Sequence, residues 1–201
     1  MVIVIVRRKF APAIDPPGGV FAFTIDSTSG GLTAVPGSPF TFPGQTALNS
    51  NPLGIVVDPT GHFVYVALSA TNQIAAFSIV GGTGALTPVP GSPFGAGNMP
   101  FFLATSGKFL YVTNAQDRTV SGYSIDSTRG VLAPVAGSPF SLPVAALVAG
   151  PFGRFLYGTS GAGVFAFTIN ANGSLTPLPG SPFPATGSTV LTIVQMPRQG
   201  G

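Results

Sequence analysis

Residues 109–125 read Phe-Leu-Tyr-Val-Thr-Asn-Ala-Gln-Asp-Arg-Thr-Val-Ser-Gly-Tyr-Ser-Ile, two runs rich in aromatic and β-branched residues separated by a polar loop. That is the pattern of two antiparallel strands and their connection. It returns at residues 63–79 and 155–169, and in altered form at residues 10–25. Aligned on the phenylalanine that opens the second strand, the copies start at Phe10, Phe63, Phe109 and Phe155, giving intervals of 53, 46 and 46 residues. The longer first interval reflects an insertion within residues 41–51, because Phe40 to Phe63 spans 23 residues where Phe94 to Phe109 and Phe140 to Phe155 span 15. A period near 46 residues is that of a four-stranded propeller blade, which makes the chain an all-β repeat protein.

Each period carries four strand signals. The first is apolar on both faces, as in Ile55-Val56-Val57, Phe101-Phe102-Leu103 and Leu147-Val148-Ala149, and Val2-Ile3-Val4 is read the same way at the N-terminus. A tight turn follows, clearest at Asp58-Pro59-Thr60-Gly61, where proline presets φ and glycine closes the turn. Then come the second strand and an alternating third strand, residues 20–25, 74–79, 120–125 and 164–169. The fourth, such as Leu86-Thr87-Pro88-Val89, holds a proline in three of its four copies. Proline cannot donate to a ladder, so this strand belongs at the outer edge. Gly-Ser-Pro-Phe closes every copy, at residues 37–40, 91–94, 137–140 and 180–183. A turn whose phenylalanine packs between neighbouring sheets explains that motif better than a ligand clamp.

The expected blades are therefore about residues 1–40, 52–94, 99–140 and 145–183, and residues 189–194 read as the first strand of a further one. In the first blade, Phe10-Ala11-Pro12-Ala13-Ile14 stands for the second strand, spoiled by its proline.

Composition agrees with many short strands and turns. Gly 28 and Pro 21 make a quarter of the chain, yet 45% of residues are hydrophobic, which argues against disorder. Only 6% are charged, against roughly 25% in an ordinary soluble domain. Such a surface, hydrated by Ser, Thr, Asn and Gln, suits an extracellular or wall-associated protein. The net charge of +3 comes mostly from Arg7-Arg8-Lys9, which is not the basic stripe of a nucleic-acid binder. With no cysteine, disulfides and thiolate metal sites are excluded. Residues 1–6 are apolar but short, and basic residues follow rather than precede them, so no secretory signal is read there. No window has the roughly 18 apolar residues of a transmembrane helix.

Tyr111-Val112-Thr113-Asn114 spells the YVTN signature. Together with Asp58-Pro59-Thr60-Gly61, Ile125-Asp126-Ser127-Thr128 and the Gly-Ser-Pro-Phe closures, it makes the chain resemble the YVTN-type, lactonase-like β-propellers, which include 6-phosphogluconolactonase-like members. The likeness covers about residues 20–183. It implies a ring of blades around a central channel, seven as a rule, whereas this chain carries about four. Three accounts fit: a piece of a longer ring, which is the expectation here, a four-bladed ring, or an open arc that self-associates through its exposed terminal strands.

The resemblance also implies that ligands meet the face formed by the second-to-third-strand loops and the connections between blades. That face would hold Asn72, Gln73, Asn114, Gln116, Asp117 and Arg118 from the first set, and Asn49, Asn51 and Asn98 from the second. Asp58, His62, Asp26, Asp126 and Arg129 fall on the opposite face.

Lactone hydrolysis needs a base for water and a donor or cation for the oxyanion. The chain has no glutamate and a single histidine, His62, which occupies the turn position held by Lys108 and Arg154 in sister repeats and reads as a solvated turn residue. Asp117 and Arg118 are the catalytic candidates, weighed against a solvated loop pair. No metal cluster, phosphate loop or cofactor motif is present in the sequence, and Asn172-Gly173-Ser174 reads as a hairpin turn rather than a glycosylation acceptor. The leading expectation is a non-catalytic scaffold at the cell surface that binds a protein or glycan through its loop face. The alternative is a hydrolase acting on a sugar lactone.

Overall fold

The computed structural model describes residues 2–7, 19–44 and 50–185. It is all-β, with four antiparallel meanders. The first joins β1 (Val2–Arg7), β2 (Gly19–Ile25) and β3 (Leu32–Ala34). The second joins β4 (Pro52–Val57), β5 (Phe63–Leu68), β6 (Gln73–Ile79) and β7 (Leu86–Pro88), with β8 (Phe94–Gly95) added on β6. The third is β9 (Pro100–Ser106), β10 (Phe109–Asn114), β11 (Thr119–Ile125) and β12 (Leu132–Pro134). The fourth is β13 (Ala146–Ala149), β14 (Phe155–Ser160), β15 (Gly163–Ile169) and β16 (Leu175–Pro177). These have the form of four-stranded propeller blades.

Sheets stack face to face because each second strand is apolar on both sides. In β10, Phe109 and Tyr111 face the fourth sheet, where they pack with Leu156 and Phe167. Leu110 and Val112 face the second sheet, where Phe63, Tyr65 and Ile74 meet them. A third cluster joins Val20 and Phe42 to Val64, Val66 and Phe77. The innermost strands approach most closely: a Cβ on Gly54 of β4 would lie 2.2 Å from the Phe101 carbonyl oxygen of β9. Only glycine allows that approach.

Two repeated hydrogen bonds explain repeated residues. The closing Gly-Ser-Pro-Phe turns the chain back onto the third strand, where its phenylalanine pairs as Val20↔Phe40, Ile74↔Phe94, Val120↔Phe140 and Val164↔Phe183. Its serine Oγ accepts a third-strand N–H that the short outer strand does not reach: Ala22 to Ser38 at 3.1 Å, Ala76 to Ser92 at 2.9 Å, Gly122 to Ser138 at 2.9 Å and Ala166 to Ser181 at 3.0 Å. The motif is thus a backbone device as well as a packing one. The second bond crosses between sheets. Tyr65 donates its hydroxyl to the Gly130 carbonyl at 3.0 Å, and Tyr111 donates to Gly173 at 2.8 Å. Burial pushes both hydroxyls well above the usual tyrosine pKa, so they remain donors.

The first sheet departs from expectation. Val2–Arg7 pairs directly with β2, with Val2 opposite Thr24, as Phe63 stands opposite Ser78 and Phe109 opposite Ser124. The N-terminal run is therefore a second strand, not a first. A β-branched Val-Ile-Val-Ile-Val segment pairs along its whole length with β2, whereas a segment interrupted by Pro12 lacks a ladder donor at that residue. Phe10, Pro12, Asn49 and the strand expected at 189–194 lie outside the described residues.

Candidate functional site

Hairpin geometry puts the second-to-third loops and the inter-sheet connections on one rim. The structure brings Asn72, Asn98, Asn114 and Asp117 together there. Asn72 Nδ2 donates to Asn98 Oδ1 at 2.8 Å, and its Oδ1 accepts from the Met99 N–H at 2.9 Å. Asn98 in turn donates its backbone N–H and its Nδ2 to the two oxygens of Asp117, both at 2.7 Å. Asn114, buried at the end of β10, donates to Thr119 and Ser121 and accepts from the Gly97 N–H at 3.2 Å. Gln116 joins through its backbone, donating to the Asn98 carbonyl. Gln73 sits at the start of β6, opposite Leu68 and Gly95. Asn51 holds the equivalent connection before β4, donating to Ser69 Oγ at 2.7 Å.

Asp117 and Arg118 are neighbours in sequence but serve different junctions. The two donors from Asn98, backbone first, hold the Asp117 carboxyl below its ordinary pKa. Arg118 adopts a left-handed backbone (φ 55), as Asn72 does at the same place in its own loop (φ 57). Arg118, itself exposed, lines a cleft of about 420 Å³ between the third and fourth sheets, with Pro143, Val144, Ser160, Ala162 and Phe165. Among the described residues no carboxylate or hydrogen-bond acceptor pairs with it. Val144, one repeat on from Asn98, is apolar and buried, so the amide that receives Asn72 has no counterpart for Arg118. The shorter loop of the fourth sheet, Gly161 and Ala162, also keeps the cleft open. Arg118 at the edge of an open cleft was not legible in the sequence, since that cleft is built from residues about 25 and 40 positions away.

The opposite rim is occupied by turns. Asp58 Oδ1 accepts from the N–H groups of His62 at 2.8 Å and Phe63 at 2.7 Å, while Oδ2 accepts from Thr60 through backbone and hydroxyl. Partial burial, the largest single influence, pushes its pKa up, but the donors together outweigh it and hold the carboxyl below 3.8. Asp126 is held low by the Thr128 hydroxyl and by Arg129, with which it pairs at 2.7 Å. Asp26 caps its turn through Ser29 and Thr28. His62 lies edge-on to Phe63, and Lys108 and Arg154 sit 5.5 and 5.8 Å from the rings of Phe109 and Phe155. The three are one structural position with interchangeable residues, remote from the Arg118 cleft. Among the described residues no group of three or more His, Cys, Asp or Glu could hold a metal ion, and no helix is long and apolar enough to cross a membrane.

With this geometry in hand, the comparisons are specific. The family model for lactonase, a seven-bladed β-propeller, matches residues 17–149. Among solved structures, the chain is similar to a proposed 6-phosphogluconolactonase from Bacteroides fragilis at 20% identity and a TM-score of 0.64, covering 80% of this chain and 47% of that one. A protein of unknown function from Desulfotomaculum acetoxidans is 17% identical with a TM-score of 0.67, covering 88% and 51%. The periplasmic gluconolactonase of Pseudomonas aeruginosa is 20% identical with a TM-score of 0.55, covering 81% and 47%. These identities carry the fold alone. The chain spans about half the length of the solved propellers it resembles. No curated protein matches it.

Proposed function

The chain belongs to the lactonase family of seven-bladed β-propellers, and from that premise we propose that its loop rim binds an anionic sugar lactone, with Arg118 as the anchor for the charge, in the service of lactone hydrolysis. The observation that carries this reading is Arg118, exposed and without a partner among the described residues, at a largely apolar cleft on that rim. A guanidinium presents a planar fork of donors to carboxylate or phosphate, and a sugar ring fits an apolar wall. A 6-phosphogluconolactone, the substrate class in the name of one similar structure, has both features.

Hydrolysis adds water across the acyl C–O bond. A base takes a proton from water as its oxygen attacks the carbonyl, a donor or cation holds the oxyanion, and the ring oxygen leaves with a proton. Arg118, engaged with the charged group, leaves the second task to other residues. Asp117 is poorly suited to the first, because a carboxylate whose pKa is lowered by bound donors is a weaker base. In this proposal the described residues supply the anchor and not the base.

The test is titration of the purified chain with a phosphorylated sugar lactone and its neutral counterpart, followed by heat release and by acid production. Arg118→Ala is expected to weaken phosphorylated-lactone binding about ten- to hundredfold, the size of one charged hydrogen bond. Equal affinity in that variant would sink the proposal. A second reading, a non-catalytic module that binds a protein or glycan, is favoured by one fact: each described carboxylate is already engaged by protein donors, Asp26, Asp58 and Asp126 within their own turns and Asp117 by Asn98. Binding with no turnover, in a ring completed by its remaining blades, would select it.

A further inference from the structure

On the face opposite the Arg118 rim, the first hairpins of successive sheets are not of equal length. Four residues, Pro59-Thr60-Gly61-His62, separate Asp58 from the Phe63 carbonyl that its N–H meets, and four, Pro151-Phe152-Gly153-Arg154, separate Gly150 from Phe155 in the same way. Between Ser106 and its partner Phe109 there are only Gly107 and Lys108. The third hairpin therefore stops short between two longer ones. A hollow of about 350 Å³ lies at its tip, lined by Pro59 of the second sheet, Thr105, Ser106 and Gly107 of the third, and Phe152 and Gly153 of the fourth.

Three features of its lining point to a ligand. Ser106 is buried, 3% exposed, and its Oγ has no hydrogen-bond partner among the described residues. A Cβ on Gly153 would lie 3.4 Å from that oxygen, so the fourth hairpin passes the hydroxyl without a side chain to cover it. Phe152 is 84% exposed and holds a left-handed backbone, φ 66, a costly conformation for an aromatic residue. Its counterpart Thr60 is exposed as well, in a sheet with a described sheet on each side, so exposure at this place belongs to the turn itself. No charged side chain lines the hollow: Lys108 and Arg154, which follow Gly107 and Gly153, lie against the rings of Phe109 and Phe155.

We propose that this hollow binds one neutral hexopyranose ring, its C–H face stacked on Phe152 and one of its hydroxyls bonded to Ser106 Oγ. A charged ligand would find no counter-ion among the lining residues. A purely apolar ligand would leave a buried hydroxyl unpaired, which costs free energy. A pyranose has both a flat face of C–H bonds and an edge of hydroxyls, and a serine hydroxyl, donor and acceptor at once, meets such an edge in either sense. The volume is near the lower end of small-ligand sites, roughly 300–1,000 Å³, which limits the occupant to one ring. The inference is independent of the lactone reading and of Arg118.

The experiment is titration of the full chain with the methyl glycosides of glucose, galactose, mannose and N-acetylglucosamine, with phenol as an aromatic probe, followed by amide NMR shifts. At least one glycoside is expected to shift the Gly107 and Gly153 amides. Phe152→Ala is expected to weaken that binding about tenfold, the size of one stacking contact, and Ser106→Ala about three- to tenfold, the size of one net hydrogen bond. Both variants are expected to melt with wild type, because Phe152 is exposed and the Ser106 hydroxyl has no protein partner to lose. Arg118→Ala is expected to bind the glycoside unchanged. The proposal is overturned if no glycoside shifts those amides, if phenol shifts them and no glycoside does, if either hollow variant binds as wild type does, or if Arg118→Ala abolishes binding.

Discussion

The junction between the second and third sheets and the junction between the third and fourth share strands, register and tyrosine latch, yet their loop rims differ. At the first, Asn72 reaches Asn98, and Asn98 reaches Asp117, so the rim is laced shut by neutral amides and one carboxylate. At the second, Arg118 stands in the place of Asn72 and Val144 in the place of Asn98, so nothing laces it and a cleft remains. The difference teaches that repetition below the rim supplies rigidity, while one or two substitutions at the rim decide where a ligand can enter. Binding residues on loops positioned by a rigid scaffold are the usual arrangement.

The comparison can be broken at the shared part first. Leu110→Ala, which empties a fully buried site in the contact of the second and third sheets, is expected to cost about 2–5 kcal/mol in denaturant unfolding. A smaller cost would mean that the sheets do not rely on each other. Next is the latch. Tyr111→Phe leaves the Gly173 carbonyl buried without its donor and is expected to cost about 1–3 kcal/mol. The same change at Tyr157, whose hydroxyl has no hydrogen-bond partner among the described residues, is expected to leave stability within about 0.5 kcal/mol of wild type. Equal losses at the two positions would refute the latch.

At the rims the expected effects are smaller and opposite in kind. Asn98→Ala unlaces the closed rim and is expected to lower stability by about 1 kcal/mol, whereas Arg118→Ala is expected to change stability by less than about 0.5 kcal/mol while weakening phosphorylated-lactone binding. Thermal unfolding of the two variants side by side separates a structural rim from a binding one.

The last effect is titration of the opposite rim. Asp58 has a folded pKa below its unfolded 3.8, so its contribution is fully present above 3.8 and is lost as the pH falls through the folded value. Wild type is expected to lose stability in that acid window, and Asp58→Asn to lose less of it. Parallel pH profiles would contradict the turn hydrogen bonds.

Much of this architecture is written locally. Alternation in β6 and β11, proline in β7, β12 and β16, and the spacing of Phe63, Phe109 and Phe155 specify strand, edge and period, because each depends on neighbours a few residues away. Asn72, Asn98, Asn114 and Asp117 were assigned to one rim through the resemblance to YVTN-type propellers, once the strand pattern had placed them in loops. The role of Val2–Arg7 was not. Whether a β-branched run pairs as a first or a second strand depends on which segment returns beside it, and the sequence around Pro12 left that to the competition between them.

What the sequence determined by itself is the repeating sheet and the two rims it creates, since periodicity in side-chain polarity dictates backbone conformation wherever one face is buried. What only the tertiary structure decided is which residues meet across the gap between sheets: Tyr65 with Gly130, Tyr111 with Gly173, Asp117 turned to Asn98 while its neighbour Arg118 faces the next sheet. Those meetings join residues as far as 65 positions apart. They depend on the angle and spacing at which whole sheets pack, which no local pattern encodes.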